Sequence, residues 1–306
     1  MPDVPPISVV MPVRNSAGVV AEAVESILNQ TFRDFEFIIV DDGSTDSTSQ
    51  TLCECAKRDS RIKLYTQENC GLIATLNRYC RIAVGKYIAR MDADDISLPT
   101  RLEKQFHFLE RYPEIGVLGT WIQDVDEKRA PIIEWPVPAD PVVVRWFLFF
   151  GNCIAHPSVM MRRDLLDRLG YYRPDAIHVE DYDLWIRAAE VTRLANLPEV
   201  LTQYRVSSGS VSRQNARLQE ERASALSLRL RGTSDIGNLY EAYITKARPS
   251  RKQRAEIALD VIRRTGVGLK SVRLLPDLLS LHTLRSVCSL GGWFIKYRSR
   301  GLAGKR

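Results

Sequence analysis

Short apolar runs, each stopping at a turn-forming or acidic cluster, constrain this chain more than any other feature. Residues 7–11 are rich in β-branched side chains and stop at Pro12. Residues 35–40 stop at Asp41-Asp42-Gly43-Ser44, and residues 87–91 stop at Asp92-Ala93-Asp94-Asp95. Runs of this length, apolar apart from Ser8, Glu36 and Arg90, read as buried strands. Between the first two, Val20, Ala23, Val24, Ile27 and Leu28 fall on one helical stripe. A further strand is expected over 62–65 and a helix over 72–82. Strands alternating with helices predict parallel βαβ units in a doubly wound α/β sheet. Such sheets bind ligands at the carboxyl ends of their strands, and both acidic clusters fall at that edge.

Beyond Pro99 the pattern predicts a helix to Arg111, a mixed stretch over 116–138, a helix over 142–150 and a strand over 158–161. A helix over 182–190 and a last strand over 201–206 follow. From about Arg217 the sequence reads as helical and basic, with Pro249 and Pro276 as breaks.

The 306 residues suffice for one large domain with an appendage. The six cysteines (Cys53, Cys55, Cys70, Cys80, Cys153, Cys288) show no zinc-ligand spacing and are expected as reduced thiols. The start, Met-Pro-Asp-Val-Pro-Pro, lacks the basic region of a secretory signal, and no run of 18 apolar residues predicts a spanning helix. A cytoplasmic location is expected.

Charge is distributed unevenly. Residues 251–306 hold thirteen lysines and arginines against Glu256, Asp260 and Asp277, a balance of +10. The first 250 residues therefore carry −4 of the net +6. An acidic body with a basic tail suits either a solvated helical tail or an anionic membrane surface, which would make the protein peripheral on the inner face. No nucleic-acid-binding module is recognisable, so a nucleic-acid partner is not expected.

Asp92 and Asp94, one residue apart just past a strand, are placed to converge on one hard cation such as Mg²⁺ or Mn²⁺, which shares its shell readily with diphosphate oxygens. Aspartates also favour turns for local reasons. The turn at 41–46 suits both a helix cap and contact with a nucleoside. Glu180-Asp181 precedes an apolar-patterned helix, where acids favour the N-terminus; the negative potential of Glu180 would make Asp181 less acidic.

Several blocks together resemble family 2 glycosyltransferases of the GT-A fold. They are Val9-Val10-Met11-Pro12-Val13-Arg14-Asn15, Ser26-Ile27-Leu28-Asn29-Gln30-Thr31 and Val40-Asp41-Asp42-Gly43-Ser44-Thr45-Asp46. Asn69-Cys70-Gly71-Leu72, Gly85-Lys86-Tyr87-Ile88-Ala89-Arg90-Met91-Asp92-Ala93-Asp94-Asp95 and Pro99 with Arg101-Leu102 follow. His156-Pro157-Ser158-Val159-Met160-Met161-Arg162-Arg163 and Glu180-Asp181-Tyr182-Asp183-Leu184-Trp185-Ile186-Arg187 complete the set. The resemblance spans about residues 6–212 and implies a Rossmann-like, mostly parallel sheet flanked by helices. It divides the chain into a GT-A domain over 1–215, with a nucleotide-sugar half over about 1–120 and an acceptor half over 121–215, and a helical basic region over 216–306.

By position, the resemblance implies that Asp42 contacts the nucleotide base and that Pro12, Arg14, Asn15 and Asp92 complete the nucleotide-binding set. Family members often carry an aromatic residue where Arg14 stands. Asp94 is implied as the direct ligand of Mn²⁺ or Mg²⁺, with Asp92 near the ribose and metal. Asp181 resembles the base of inverting enzymes, with Glu180 its alternative. His156 and Arg205 are candidate acceptor or diphosphate contacts, against structural roles for both. Similar sequences often place a histidine where Tyr204-Arg205-Val206-Ser207 ends in serine. The expectation is an inverting, metal-dependent transfer from a nucleoside-diphosphate sugar, with UDP as its nucleotide, to a saccharide or lipid-linked saccharide for surface polysaccharide. The alternative is a non-catalytic nucleotide-sugar-binding or membrane-surface module on the same fold.

Overall fold

The first two strands, β1 (Ile7–Val13) and β2 (Phe35–Asp42), send successive side chains to opposite faces of a sheet. Val10, Ile38 and Val40 enter one core with Leu76, Tyr79 and Trp185. Ile7, Val9, Met11, Phe37 and Ile39 enter the other with Val24, Ile27 and Leu52. Both faces are thus covered, as the continuous apolar runs require. A computed structural model describes residues 4–206 and 215–231. Ser207, Cys288 and the basic tail with Pro249 and Pro276 lie outside the described residues.

The remaining elements are α1 (Val20–Leu28), α2 (Thr48–Arg58), β3 (Ile62–Gln67), α3 (Leu72–Ile82), β4 (Tyr87–Arg90), β5 (Ile96–Ser97), α4 (Arg101–Arg111), β6 (Ile115–Val125), β7 (Pro131–Trp135) and α5 (Pro141–Phe147). After a 3-10 turn at His156–Ser158 come β8 (Met160–Arg162), α6 (Arg163–Leu169), α7 (Glu180–Ala188), β9 (Arg193–Arg205) and α8 (Ala216–Arg231). The sheet runs β3-β2-β1-β4-β8-β6-β9-β5, with β7 paired to β6. Among the described residues no helix is long and apolar enough to cross a membrane.

The doubly wound expectation holds from β3 to β4, where every pairing is parallel. Beyond β4 the sheet is mixed. β8 lies antiparallel between β4 and β6, and β5 and β7 are antiparallel edges, while β6 and β9 are parallel.

Pro12 does not end β1, which continues to Val13 opposite Asp41. The Val10 carbonyl accepts from Met91 N–H, so even-numbered residues of β1 direct their backbone groups toward β4. β4 stops at Arg90, so at Pro12 the missing N–H costs no ladder bond.

The stretch over 116–138, expected to be mixed, contains β6 and β7, and β9 begins eight residues before its predicted start. Gly116 and Gly119 interrupt the apolar pattern of β6, and glycine weakens a strand signal. Here it is required: a Cβ on Gly119 would lie 2.2 Å from Asn196 Oδ1 across the parallel pair. α5 opens where expected, one residue early, because Asp140 caps Val142 and Val143 N–H ahead of Pro141.

Candidate active site

The carboxyl ends of β1, β2 and β4 deliver the candidate residues to one edge. After β1, Pro12 is half-buried and Arg14 is exposed. Asn15, at φ 48°, accepts from Thr45 N–H through Oδ1 at 2.8 Å and donates its backbone N–H to Ser44 Oγ at 3.0 Å. Asn15 therefore ties the loop after β1 to the loop after β2.

The two aspartates closing β2 have different partners. Asp41 accepts from Ser44 N–H at 2.9 Å and from Ser49 Oγ, which shapes the turn. Asp42 reaches the loop between β3 and α3. Its Oδ1 accepts from Cys70 N–H at 2.9 Å and Gln67 Nε2 at 2.8 Å, and its Oδ2 accepts from Gly71 N–H at 2.9 Å. Burial pulls its pKa up, but these donors outweigh it and hold the carboxyl below its ordinary value. Asp42 is an ionised brace for the 69–71 loop.

After β4, carboxylate oxygens of Asp92, Asp94 and Asp95 lie within 4.8 Å of one another. Asp92 forms an ion pair with Arg90. Burial, then the charge of Asp92, push the Asp94 carboxyl up to about 6. Asp95 is fully buried; Oδ1 accepts from Arg205 N–H at 3.0 Å, whereas Oδ2 has no hydrogen-bond partner among the described residues. Burial and the charges of Asp94 and Asp92 raise its pKa strongly. Three hard oxygen donors crowded to this degree, one of them an orphaned buried oxygen, fit a divalent cation.

Arg205 is 4% exposed. Its Nε donates to the Asp94 carbonyl at 2.9 Å, Nη1 to the Glu127 carbonyl at 2.6 Å and Nη2 to the Glu22 carboxylate at 2.8 Å. All three guanidinium nitrogens are engaged by protein groups, one of them the Asp94 carbonyl of the acidic loop. His156 is likewise buried: Nε2 lies 2.8 Å from the Tyr172 hydroxyl, and its ring meets Trp185 edge-on at 6.1 Å between centroids. Burial, then the charge of Arg90, keep its pKa well below the usual value, so the imidazole is neutral.

Glu180 and Asp181 open α7, with Asp183 in the same first turn. Asp183 pairs with Arg187 at 2.8 Å, which fixes the helix start. Asp181 Oδ1 accepts from Tyr182 N–H at 2.7 Å, and Oδ2 accepts from Asn152 Nδ2 at 2.7 Å. Burial, then the charge of Glu180, raise the Asp181 carboxyl to about 7. Glu180 is raised as well, chiefly by burial.

One buried cation serves both acidic groups. Arg90, 3% exposed, pairs with Asp92, and its charge also acts on Asp94, Asp95, Glu180 and Asp181. The fold thus brings the 92–95 cluster and the Glu180-Asp181 pair close enough to share a field. Sequence reasoning assigned no role to Arg90, Asp95 or Asn152. A charged residue inside the apolar run 87–91 and a polar one inside the apolar run 147–154 were the available signals.

A mixed sheet with an acidic cluster at the parallel strands' carboxyl edge and a recessed carboxylate pair beside it defines a GT-A-like transferase architecture. The profile of glycosyl transferase family 2 matches residues 8–170. The chain belongs to this family and is a glycosyltransferase. It is 36% identical over 212 residues to the O-antigen biosynthesis glycosyltransferase WbnJ of Escherichia coli, covering 68% of this chain and 82% of that one. It is 30% identical over 225 residues to the amylovoran biosynthesis glycosyltransferase AmsE of Erwinia amylovora, covering 72% and 84%. Among solved structures it resembles S. aureus TarS 1-349 in complex with UDP-GlcNAc, with a TM-score of 0.58 at 18% identity, over 95% of this chain and 91% of that one. It also resembles the mannosyltransferase PcManGT from Pyrobaculum calidifontis in complex with GDP-Man and Mn2+, with a TM-score of 0.59 at 18% identity, over 100% and 89%. These two likenesses establish the fold.

Proposed function

We propose that the protein is an inverting, metal-dependent glycosyltransferase that moves a sugar from a UDP-sugar to a saccharide or lipid-linked saccharide acceptor in surface polysaccharide synthesis. The observation that carries this reading is the pairing of two unlike acidic groups around Arg90: a crowded, donor-poor cluster at 92–95 and a proton-accepting carboxyl at Asp181.

Asp94 would hold a divalent cation, with Asp92 and Asp95 contributing. When bound, such an ion neutralises the charge that develops on a leaving diphosphate. Asp42 and the 69–71 loop it braces, with Pro12, Arg14 and Asn15, form the wall for the nucleoside. Arg205 holds the Asp94 backbone in place from behind. Transfer passes through an oxocarbenium-like state, and the attacking hydroxyl must lose its proton as it bonds to the anomeric carbon. Asp181 takes that proton: a carboxyl poised near 7 is ionised often enough to accept it and basic enough to hold it. Glu180 raises that basicity.

The names of WbnJ and AmsE support a polysaccharide acceptor. The +10 balance of residues 251–306 supports an anionic membrane surface as a partner and a position at the inner face of the membrane. The test is a panel of UDP-, GDP- and CDP-sugars assayed for thermal stabilisation with and without Mn²⁺, since a ligand that binds only the folded state raises its stability. Metal-dependent stabilisation by one UDP-sugar supports the reading; no response to any nucleotide sugar contradicts it.

A further inference from the structure

Among the described residues the Asp181 carboxylate is held by a single side-chain donor, and that donor comes from a different part of the fold. Asn152 lies between α5 and the 3-10 turn and is half-buried. Its Nδ2 donates to Asp181 Oδ2 at 2.7 Å, and its Oδ1 accepts from Ile154 N–H at 3.0 Å. The second bond fixes the amide's orientation: flipped, the side chain would aim an oxygen at a carboxylate and an NH₂ at an N–H.

We infer that Asn152 is a positioning residue for sugar transfer, aiming the Asp181 carboxylate and setting the pH at which it becomes available. The inference rests on the reading of Asp181 as the base. Asn152 donates to the ionised form and therefore favours it. The other groups that face Asp181 are Glu180 on its own helix, Arg90 from β4 and Tyr172 from the segment before α7; Asn152 is the sole neutral donor side chain among those described. His178 acts on Glu180, and neutral His156 lies against Tyr172. Glu180 opposes ionisation while Tyr182 N–H, Asn152 and Arg90 promote it, so removing Asn152 leaves Tyr182 N–H and Arg90 against two unfavourable influences, burial and the Glu180 charge.

Two variants separate aim from folding. Asn152→Ala removes the donor together with the acceptor for Ile154 N–H. Asn152→Asp keeps that acceptor, and so the loop, while placing a second carboxylate against Asp181. Turnover of each is measured from pH 5.5 to 9.5 at saturating nucleotide sugar, with Asp181→Asn run beside them. The expected result is an acid limb of kcat displaced upward by about one pH unit or more in Asn152→Ala, the scale of a lost hydrogen bond to a charged group. The displacement is larger in Asn152→Asp, and the donor KM is unchanged in both. If Asp181→Asn is inactive yet both Asn152 variants keep the wild-type limb, the inference falls and the base assignment stands. If Asp181→Asn retains its rate, the base assignment falls first and takes the inference with it.

Discussion

Asp181→Asn separates a catalytic requirement from a folding cost. In the fold the carboxyl titrates near 7, against about 3.9 for aspartate in an unfolded chain. Between those values the folded state binds the proton more tightly. Stability from this group is therefore fully present below about pH 4 and is lost as pH rises through about 7. At about 1.36 kcal/mol per tenfold change, the ionised fold carries a cost of at most about 4 kcal/mol at pH 8. Asparagine removes that cost but serves only one of the two donors, Tyr182 N–H or Asn152 Nδ2, that the carboxylate oxygens accept. The lost bond costs about 1–2 kcal/mol. The variant is thus expected to be up to about 3 kcal/mol more stable than wild type at pH 8, and about 1–2 kcal/mol less stable near pH 4. Turnover at pH 8 should fall about 10²–10⁴-fold, the contribution of a general base. Urea unfolding at pH 4, 6 and 8, with turnover and donor affinity on the same preparation, provides the assay. A stability difference that does not change with pH would show that Asp181 titrates as an ordinary surface carboxyl. Near-normal turnover, with the loss appearing in Glu180→Gln instead, would move the base to Glu180.

Three further perturbations follow from the same geometry. Asp42→Ala removes the brace of the 69–71 loop and should weaken nucleotide binding by about 1–3 kcal/mol; UDP, CDP and GDP titrations that match wild type would reduce Asp42 to a turn residue. Gly85→Ala places a Cβ 2.5 Å from Ser8 N and 2.7 Å from the Ile7 carbonyl carbon, both backbone atoms of β1, and should cost about 1–3 kcal/mol in urea unfolding; an unchanged midpoint would mean that β1 and the 83–86 segment approach less closely. Truncation near Ala247 should abolish binding to anionic liposomes, and binding by the intact chain should fade as salt rises; salt-insensitive flotation, or none at all, would leave the tail as a solvated appendage.

The parallel half of the sheet was legible because β1, β2 and β4 are buried on both faces and carry no internal polar interruption apart from Ser8, Glu36 and Arg90. The mixed half was harder to read because its strands belong to long-range pairings. β6 carries two glycines forced by close neighbours, and β9 runs through blocks of buried and exposed positions, with no period-two alternation, across three register shifts against β6. The site followed the same division. Clustered acids at strand ends can be seen in one dimension. The Asn152–Asp181 bond spans 29 residues and the Arg205–Asp94 contact spans 111, and no local pattern announces either. His156 and Arg205 illustrate the limit most plainly: a motif position marks them, whereas burial and engaged nitrogens show where their polar atoms go.

In the proposed function, the 92–95 cluster and the nucleotide wall form one site completed by a divalent cation. Calorimetry of UDP binding to wild type and Asp94→Ala, each with and without Mn²⁺, tests it most directly. Mn²⁺ is expected to strengthen UDP binding to wild type, and Asp94→Ala to abolish this enhancement while leaving urea unfolding intact. Equal enhancement in both proteins would contradict it.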